Sequence, residues 1–521
     1  MKSAAVRAFI ARAIRRKSRG SPWNSEELIR EELFSAERLE QHGESLALAQ
    51  RVTDRPRAAY PLRRRLADNS RVLLRAYHST ALVIDQGHPI TPAAEWLVDN
   101  FHVVEDQILE IRDDLPPGYY RQLPKLADGP LAGYPRVFGI AWAFVAHTDS
   151  RFDPELLCRF VRAYQRVQPL TIGELWAVAI TLRIALVENL RRAAERIERG
   201  REARAQADEV ANRLLGVGGH GAEPLAEVVR AYGEAPLPRT FAVQLVQRLR
   251  DQDPRVTPAL QWLEERLAAQ ATSAEEIVRS EFQRQGTLNV TVRNAITSLR
   301  LVSAIDWADL FESISLVDDA LRAESDFAQM DFATRDRYRA AIEELARGCE
   351  RTELEIAKSA LLAARAARAR SETPAAETLE RERDPGYYLI AGGRRGFEAS
   401  LAFRAPLHSW IGRVGAAAGI RGYLLGIALI SGLLLGLALL LTDAPLVGWQ
   451  LRVLALLGAI PAIEVAVALV NRGAMNRFSA RVLPGLELRD GIPPSLRTVV
   501  VVPTLLTTPS AVEEQIGRLG V

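Results

Sequence analysis

From about residue 23 to residue 370, apolar side chains recur every three or four positions, and strand-like alternation is almost absent. Thr91-Pro92 predicts a helix start, with Thr91 as N-cap and Pro92 in the first helical position. Leu97, Phe101, Val104, Ile108 and Ile111 follow at spacings of four, three, four and three, a single core-facing stripe. The opposite face carries Glu95, Asp99, His102, Asp106, Glu110 and Asp113, which is expected to be a solvated face and not a row of catalytic or metal-binding groups. Upstream, Asn24 followed three residues later by Glu27 is a capping-box pattern, predicting a helix with Ile29, Leu33 and Ala36 on one face. The most apolar helix of the region is "TIGELWAVAITLRIALVENLRR", Thr171 to Arg192. Glu174, Arg183 and Glu188 interrupt it, so it reads as the buried helix of a bundle, with its charges paired or at the rim. Helical period continues through 293–322 and 335–370 and stops at "SETPAAETLERERDPGYYLIAGGRRGFEAS", where proline, glycine and charge predict a connector over 371–420.

The pattern then changes character. From Gly422 to Leu441 twenty residues pass without a charge, enough for a helix of about 30 Å, the thickness of a bilayer's hydrocarbon core. A second span, Val453 to Val470, contains Pro461, expected to kink it, and Glu464, an intramembrane polar candidate that is costly if it faces lipid. The pair reads as a transmembrane hairpin over 421–471 whose tip carries Trp449 as an interface anchor. Arg394, Arg395, Arg404, Arg413 and Arg421 precede the hairpin, and Arg472, Arg477, Arg481 and Arg489 follow it. The tip has Arg452 offset by Asp443. The positive-inside rule therefore places both hydrophilic flanks in the cytoplasm.

Composition adds little. A formal net charge of +3 over 521 residues gives no reason to expect a nucleic-acid partner. Four of the 67 basic residues are lysine, an arginine bias that reads as codon composition before phosphate binding. Cys158 and Cys349 lie in separate helical patterns without metal-ligand spacing and read as core thiols. The first 22 residues are a basic leader, expected to be disordered, with no apolar core for a secretory signal. The seven histidines form no ligand pair, and neither a nucleophile elbow nor a phosphate-binding loop is present. At the end, Thr498 to Val502 is a β-branched run broken by Pro503, followed by a short helical pattern in "AVEEQIGRLG".

Several stretches together resemble the N-terminal part of a cyclic β-1,2-glucan synthase, a large bacterial inner-membrane glycosyltransferase family. They are "EWLVDNFHVVEDQILEIRDDLPPGYYRQLP" (from Glu95), "YPRVFGIAWAFVAHTDSRFD" (from Tyr134), "FVRAYQRVQPLTIGELWAVAITLRIALVENLRR" (from Phe160) and "TVRNAITSLRLVSAIDWADLFESIS" (from Thr291). "MDFATRDRYR" (from Met330), "GYYLIAGGRRGFE" (from Gly386) and "ELRDGIPPSLRTVVVVPTLL" (from Glu487) continue the series in order. The resemblance implies a mainly α chain: a helical cytoplasmic domain over 23–370, the membrane hairpin, and over 472–521 the first strand and helix of a truncated GT-A-like α/β glycosyltransferase domain. It also implies that the complete enzyme polymerises glucose from UDP-glucose into periplasmic β-1,2-glucan, with a divalent metal, Mg or Mn, held by residues after Val521. By that reading this chain binds no metal, contains no catalytic residue, is inactive alone, and touches the lipid bilayer of the inner membrane. Ligands of parallel α/β sheets bind beyond the carboxyl ends of the strands, which makes Pro503 and Thr504 nucleotide-site candidates. The alternative is a stand-alone, membrane-tethered helical interaction protein without catalysis.

Overall fold

The computed structural model describes residues 27–53, 55–115, 118–217, 223–232, 236–250, 257–369, 381–405, 407–441, 448–477 and 483–488, with isolated positions after that. The chain divides into two compact units, Met1–Asp318 and Asp319–Val521. Both are mainly α. The one sheet among the described residues pairs Val52–Thr53 (β1) with Lys125–Leu126 (β2), antiparallel, with Val52 opposite Leu126.

The first unit is built on a single long helix. Its helices are α1 (Ala36–Ala49), α2 (Leu62–Asp85), α3 (Pro92–Asp99), α4 (Phe101–Asp114), α5 (Arg136–His147), α6 (Pro154–Val167), α7 (Ile172–Leu215), α8 (Arg239–Leu249), α9 (Thr257–Ala268), α10 (Ala274–Ala304) and α11 (Trp307–Ile314). Helix α7, 44 residues and about 66 Å long, opens on a capping box formed by Thr171 and Glu174 and ends at Gly216, whose φ of 69° reverses the chain. Helices α2, α4, α5, α8, α10 and α11 all pack against it. Its first half is largely apolar and buried on every side, with Leu182, Ile184, Ala185, Val187 and Leu190 at 1% exposure or less. Its second half supplies Ala207, Val210 and Ala211 to a core shared with Phe241, Leu249 and Leu263.

The stripe from Leu97 to Ile111 is buried as its spacing predicts, and Thr91 and Pro92 open the helix. The chain nevertheless breaks at Asn100 (φ −114°, ψ 19°), so the stripe belongs to two helices, α3 and α4. The helix expected after Asn24 is a correction. Asn24 lies outside the described residues, and residues 27–35 are not helical; the first described helix starts at Ala36, where the Ser35 hydroxyl accepts from Arg38 N. Leu33, expected on the buried face, is exposed, whereas Ile29 is buried. An extended segment can bury Ile29 because the Asn189 side chain satisfies its backbone: Ile29 N donates to Asn189 Oδ1 (2.6 Å) and Asn189 Nδ2 donates to Ile29 O (3.2 Å).

In the second unit, α12 (Leu316–Glu324) crosses the division, and α13 (Phe332–Gly348), α14 (Glu353–Ala369), α15 (Pro385–Ile390) and α16 (Arg394–Ser400) form a small bundle. Two helices of the connector thus pack onto the bundle. Asp384 caps α15 by accepting from Gly386 N, and the Tyr338 hydroxyl donates to the same carboxylate at 2.7 Å. Gly386 cannot be enlarged, since a Cβ there would lie 2.0 Å from that hydroxyl. The hairpin follows as α17 (Leu407–Leu440) and α18 (Gly448–Arg477).

Candidate functional site

The three charges that interrupt the apolar half of α7, Glu174, Arg183 and Glu188, are all answered. Glu174 is fully buried and takes two hydrogen bonds from Arg136, Nε at 2.9 Å and Nη2 at 2.6 Å. Arg183 reaches Glu110 at 3.2 Å and Asp114 at 3.4 Å. Glu188, also fully buried, accepts a bidentate pair from Arg65 (2.9 Å each), with Arg191 at 2.8 Å and Arg192 at 3.0 Å. Burial by itself would raise the Glu188 carboxyl, but the hydrogen bond from Arg65 and the surrounding guanidinium charges hold it below the ordinary value. Arg191 divides itself between Glu188 and Glu195 (2.7 Å). Arg192 also reaches the backbone of Glu27 (Nη1 to O, 2.7 Å) and the face of Trp142.

Three of the stretches that carry the family resemblance meet beside this network. Asp149 and Ser150 both sit in the left-handed region (φ 51° and 62°) and are both buried. Such conformations persist where surroundings over-determine them. Here Thr291 donates to Asp149 Oδ1 (2.6 Å), Asn294 to Asp149 O (3.0 Å), Ser298 to Ser150 O (2.7 Å) and Asn189 Nδ2 to Ser150 Oγ (2.7 Å). Arg30 closes the knot on Asp149 at 3.2 Å. The knot thereby ties α7, α10, the end of α5 and the extended segment at residues 27–30 together. Apart from Arg30, which is exposed, its members are buried or half-buried, and its role is structural.

The hairpin has the opposite character. In the most apolar 18 residues of its stretches Gly419–Leu440 and Gly448–Asn476, 0% and 11% are buried, so neither is the core helix of a soluble domain, and the chain is a membrane protein. Gly419 (φ 52°, ψ −136°) breaks α17 where the first span begins, a conformation that glycine adopts without strain. The two helices meet through small residues: Ala462 and Ala466 are buried, and Gly458 lies under Leu435. Tyr423 donates to Asn471 Oδ1 at 2.9 Å near the flanks. Helix α18 runs through Pro461 as one element. Glu464 is exposed, because at 100° per residue it is turned about 200° from both Ala462 and Ala466.

Both flanks of the hairpin dock on one helix. Before it, Arg404 N donates to Gly348 O (2.8 Å) at the end of α13, and the Phe403 ring covers Gly348 so closely that a Cβ there would lie 2.1 Å from the ring. After it, the chain returns to the start of α13. Met330 and Leu486 form an antiparallel bridge, Asp331 N donates to Gly485 O (3.0 Å) and Glu487 N to Gln329 O (2.8 Å). Gly485 N donates to Thr334 Oγ1 at 2.8 Å, and Arg335 pairs with Glu487 at 3.1 Å.

Of the predicted site residues, Glu464 stands alone on the outer face of the hairpin, and Pro503 and Thr504 lie outside the described residues. Cys158 and Cys349 are free and half-buried, not core thiols. Among the described residues no three His, Cys, Asp or Glu side chains gather as a metal site would require.

No family model matches the chain. It is 36% identical over 498 residues, 95% of its length, to the cyclic beta-(1,2)-glucan synthase NdvB of Rhizobium meliloti (strain 1021), and spans 17% of the length of that protein. Across nearly its whole length, the chain is similar to a portion of a cyclic β-(1,2)-glucan synthase.

Proposed function

We propose that the chain forms the helical and membrane-anchoring part of a bacterial cyclic β-(1,2)-glucan synthase, with both flanks of its hairpin on the cytoplasmic side of the inner membrane. The likeness over 95% of the chain carries the assignment. The docking of both flanks on α13 supports the topology, because residues 329–335 hydrogen-bond to residues 485–487 and a bilayer cannot lie between them. The excess of arginine on those flanks selects the cytoplasmic side. In this reading the complete enzyme takes glucose from UDP-glucose into β-1,2-glucan with a divalent metal. The described residues offer no ligand set for that metal, and no step of the transfer is assigned to them.

Membranes containing the complete protein should incorporate glucose from UDP-glucose into protein-bound glucan in a metal-dependent manner. A well-folded, full-length preparation that fails to do so removes the synthase assignment. Cysteine labelling in spheroplasts tests the topology separately: single cysteines at Arg395 and Leu488 should both be shielded from an impermeant reagent. Labelling of either from outside overturns the arrangement.

A further inference from the structure

A cavity of about 540 Å³ opens in the first unit between α7, α8 and α10, large enough for a small metabolite. Its floor is one face of α7, on which Arg196, Gly200 and Arg204 follow at four-residue spacing. The Arg204 guanidinium folds back over Gly200, where a Cβ would lie 3.5 Å from it. Arg284 faces both arginines from α10. Among the described residues none of these three arginines has a carboxylate within ion-pairing distance or a hydrogen bond to the protein. The two acids of the cavity offset part of this charge: Glu27 and Glu281 attract Arg196 and Glu281 attracts Arg204, but neither forms an ion pair with them, and Glu281 accepts from Thr240 (3.0 Å) and Gln285 (3.2 Å). Burial, then repulsion from Arg284, lowers the affinity of Arg196 for its proton, and burial does the same for Arg204. With Arg196, Arg199, Arg204 and Arg284 against Glu27 and Glu281, the cavity lining keeps an excess of positive charge, and half-buried guanidiniums without a direct ion pair present a seat for an anion. Guanidinium forks match phosphate geometry. The opposite wall carries the Phe282 ring, 61% exposed although large and apolar, together with acceptor carboxylates that suit hydroxyl groups.

We propose that this cavity binds a phosphorylated sugar, with the phosphoryl group on Arg196, Arg204 and Arg284, hydroxyls toward Glu27 and Glu281, and the sugar face on Phe282. The ligand is either a free hexose phosphate or a nucleotide sugar, which share this chemistry. The proposal rests on the cavity alone and stands or falls independently of the synthase reading.

Calorimetric titration of the full chain in nanodiscs, with inorganic phosphate, glucose 1-phosphate and UDP-glucose as probes, tests it. Saturable binding of one of the two sugar phosphates, at least tenfold tighter than inorganic phosphate, is the expected result, and which of them binds identifies the source. Arg204→Gln and Arg284→Gln should each weaken it tenfold or more, while Arg112→Gln, exposed on α4 and remote from the cavity, should leave it unchanged. Arg284 is itself exposed, so its variant should keep the wild-type circular dichroism spectrum and melting curve, which separates lost binding from lost fold. No saturable binding of either sugar phosphate, equal affinity for inorganic phosphate, or binding indifferent to both arginine substitutions overturns the proposal.

Discussion

Glu188 and Glu464 each interrupt a long apolar helix, and their fates are opposite. Glu188 is fully buried in protein and ringed by Arg65, Arg191 and Arg192, the first of them 123 residues away in sequence. Glu464 projects from a helix whose leucines and valines are themselves exposed. In the first helix a tertiary fold surrounds the acid and supplies cations. In the second, no protein covers the acid, and the small residues that face the neighbouring helix turn it outward. An interrupting charge thus identifies neither helix; what identifies each is whether the apolar residues around the charge are covered by protein.

The largest test of this contrast is Glu188→Gln. Removing the anion takes away the carboxylate that Arg65, Arg191 and Arg192 share, with Arg191 keeping Glu195 at 2.7 Å, and breaking such a buried network costs about 3–5 kcal/mol, read as a fall in the urea midpoint of the full chain. The same network predicts an acid limb. The Glu188 carboxyl is depressed in the folded state, so its contribution is present above the unfolded value and lost as pH falls through the folded one. The midpoint should therefore drop below about pH 4.5 in wild type, and by less in the variant. Glu464→Leu should act in the opposite direction. Insertion of the hairpin should be at least as efficient, with a gain on the order of 2 kcal/mol on insertion scales for central charges, measured by glycosylation mapping of the tip. A loss of insertion would mean that Glu464 is covered and paired, which erases the contrast.

A smaller effect is expected where the hairpin joins the bundle. Gly348→Ala places a methyl group against Phe403, displacing the ring at a cost of about 1–3 kcal/mol and exposing the chain before α17 to limited proteolysis. Unchanged cleavage there would show that the flank is not held. The smallest concerns His42, whose ring lies 4.5 Å from His147. Burial, then the neighbouring His147, keeps its proton affinity low. The unfolded chain therefore takes up that proton first, and stability declines as pH falls below about 6.5. His42→Phe, which keeps the ring, should flatten that part of the melting-temperature profile; an unaltered profile assigns it to another group.

Much of this architecture was legible residue by residue. The stripe from Leu97 to Ile111 is buried, Thr91 and Pro92 stand at the start of α3, and the spans at 422–441 and 453–470 lie within α17 and α18 to within one residue. These succeed because periodicity, capping and hydrophobic length are local properties. The helix expected after Asn24 fails for a non-local reason: Asn189 offers the backbone at Ile29 hydrogen bonds that replace those of a helix. The cavity went unread although Arg196, Gly200 and Arg204 stand at a visible four-residue spacing. On a helix so rich in arginine that spacing carries no meaning until Arg284 is brought opposite it.

By itself, the sequence determined the helical class, the register of each amphipathic face, the membrane hairpin and the likeness to a glucan synthase. All of these depend on side chains within a few turns of each other or on matching strings. Only the tertiary structure decided which charges neutralise one another, that Asp149 and Ser150 are held in a left-handed turn, that Glu464 faces outward, and that both flanks return to α13. Those outcomes depend on groups brought together across a hundred residues or more, and burial, which sets their energies, exists only once the chain has folded.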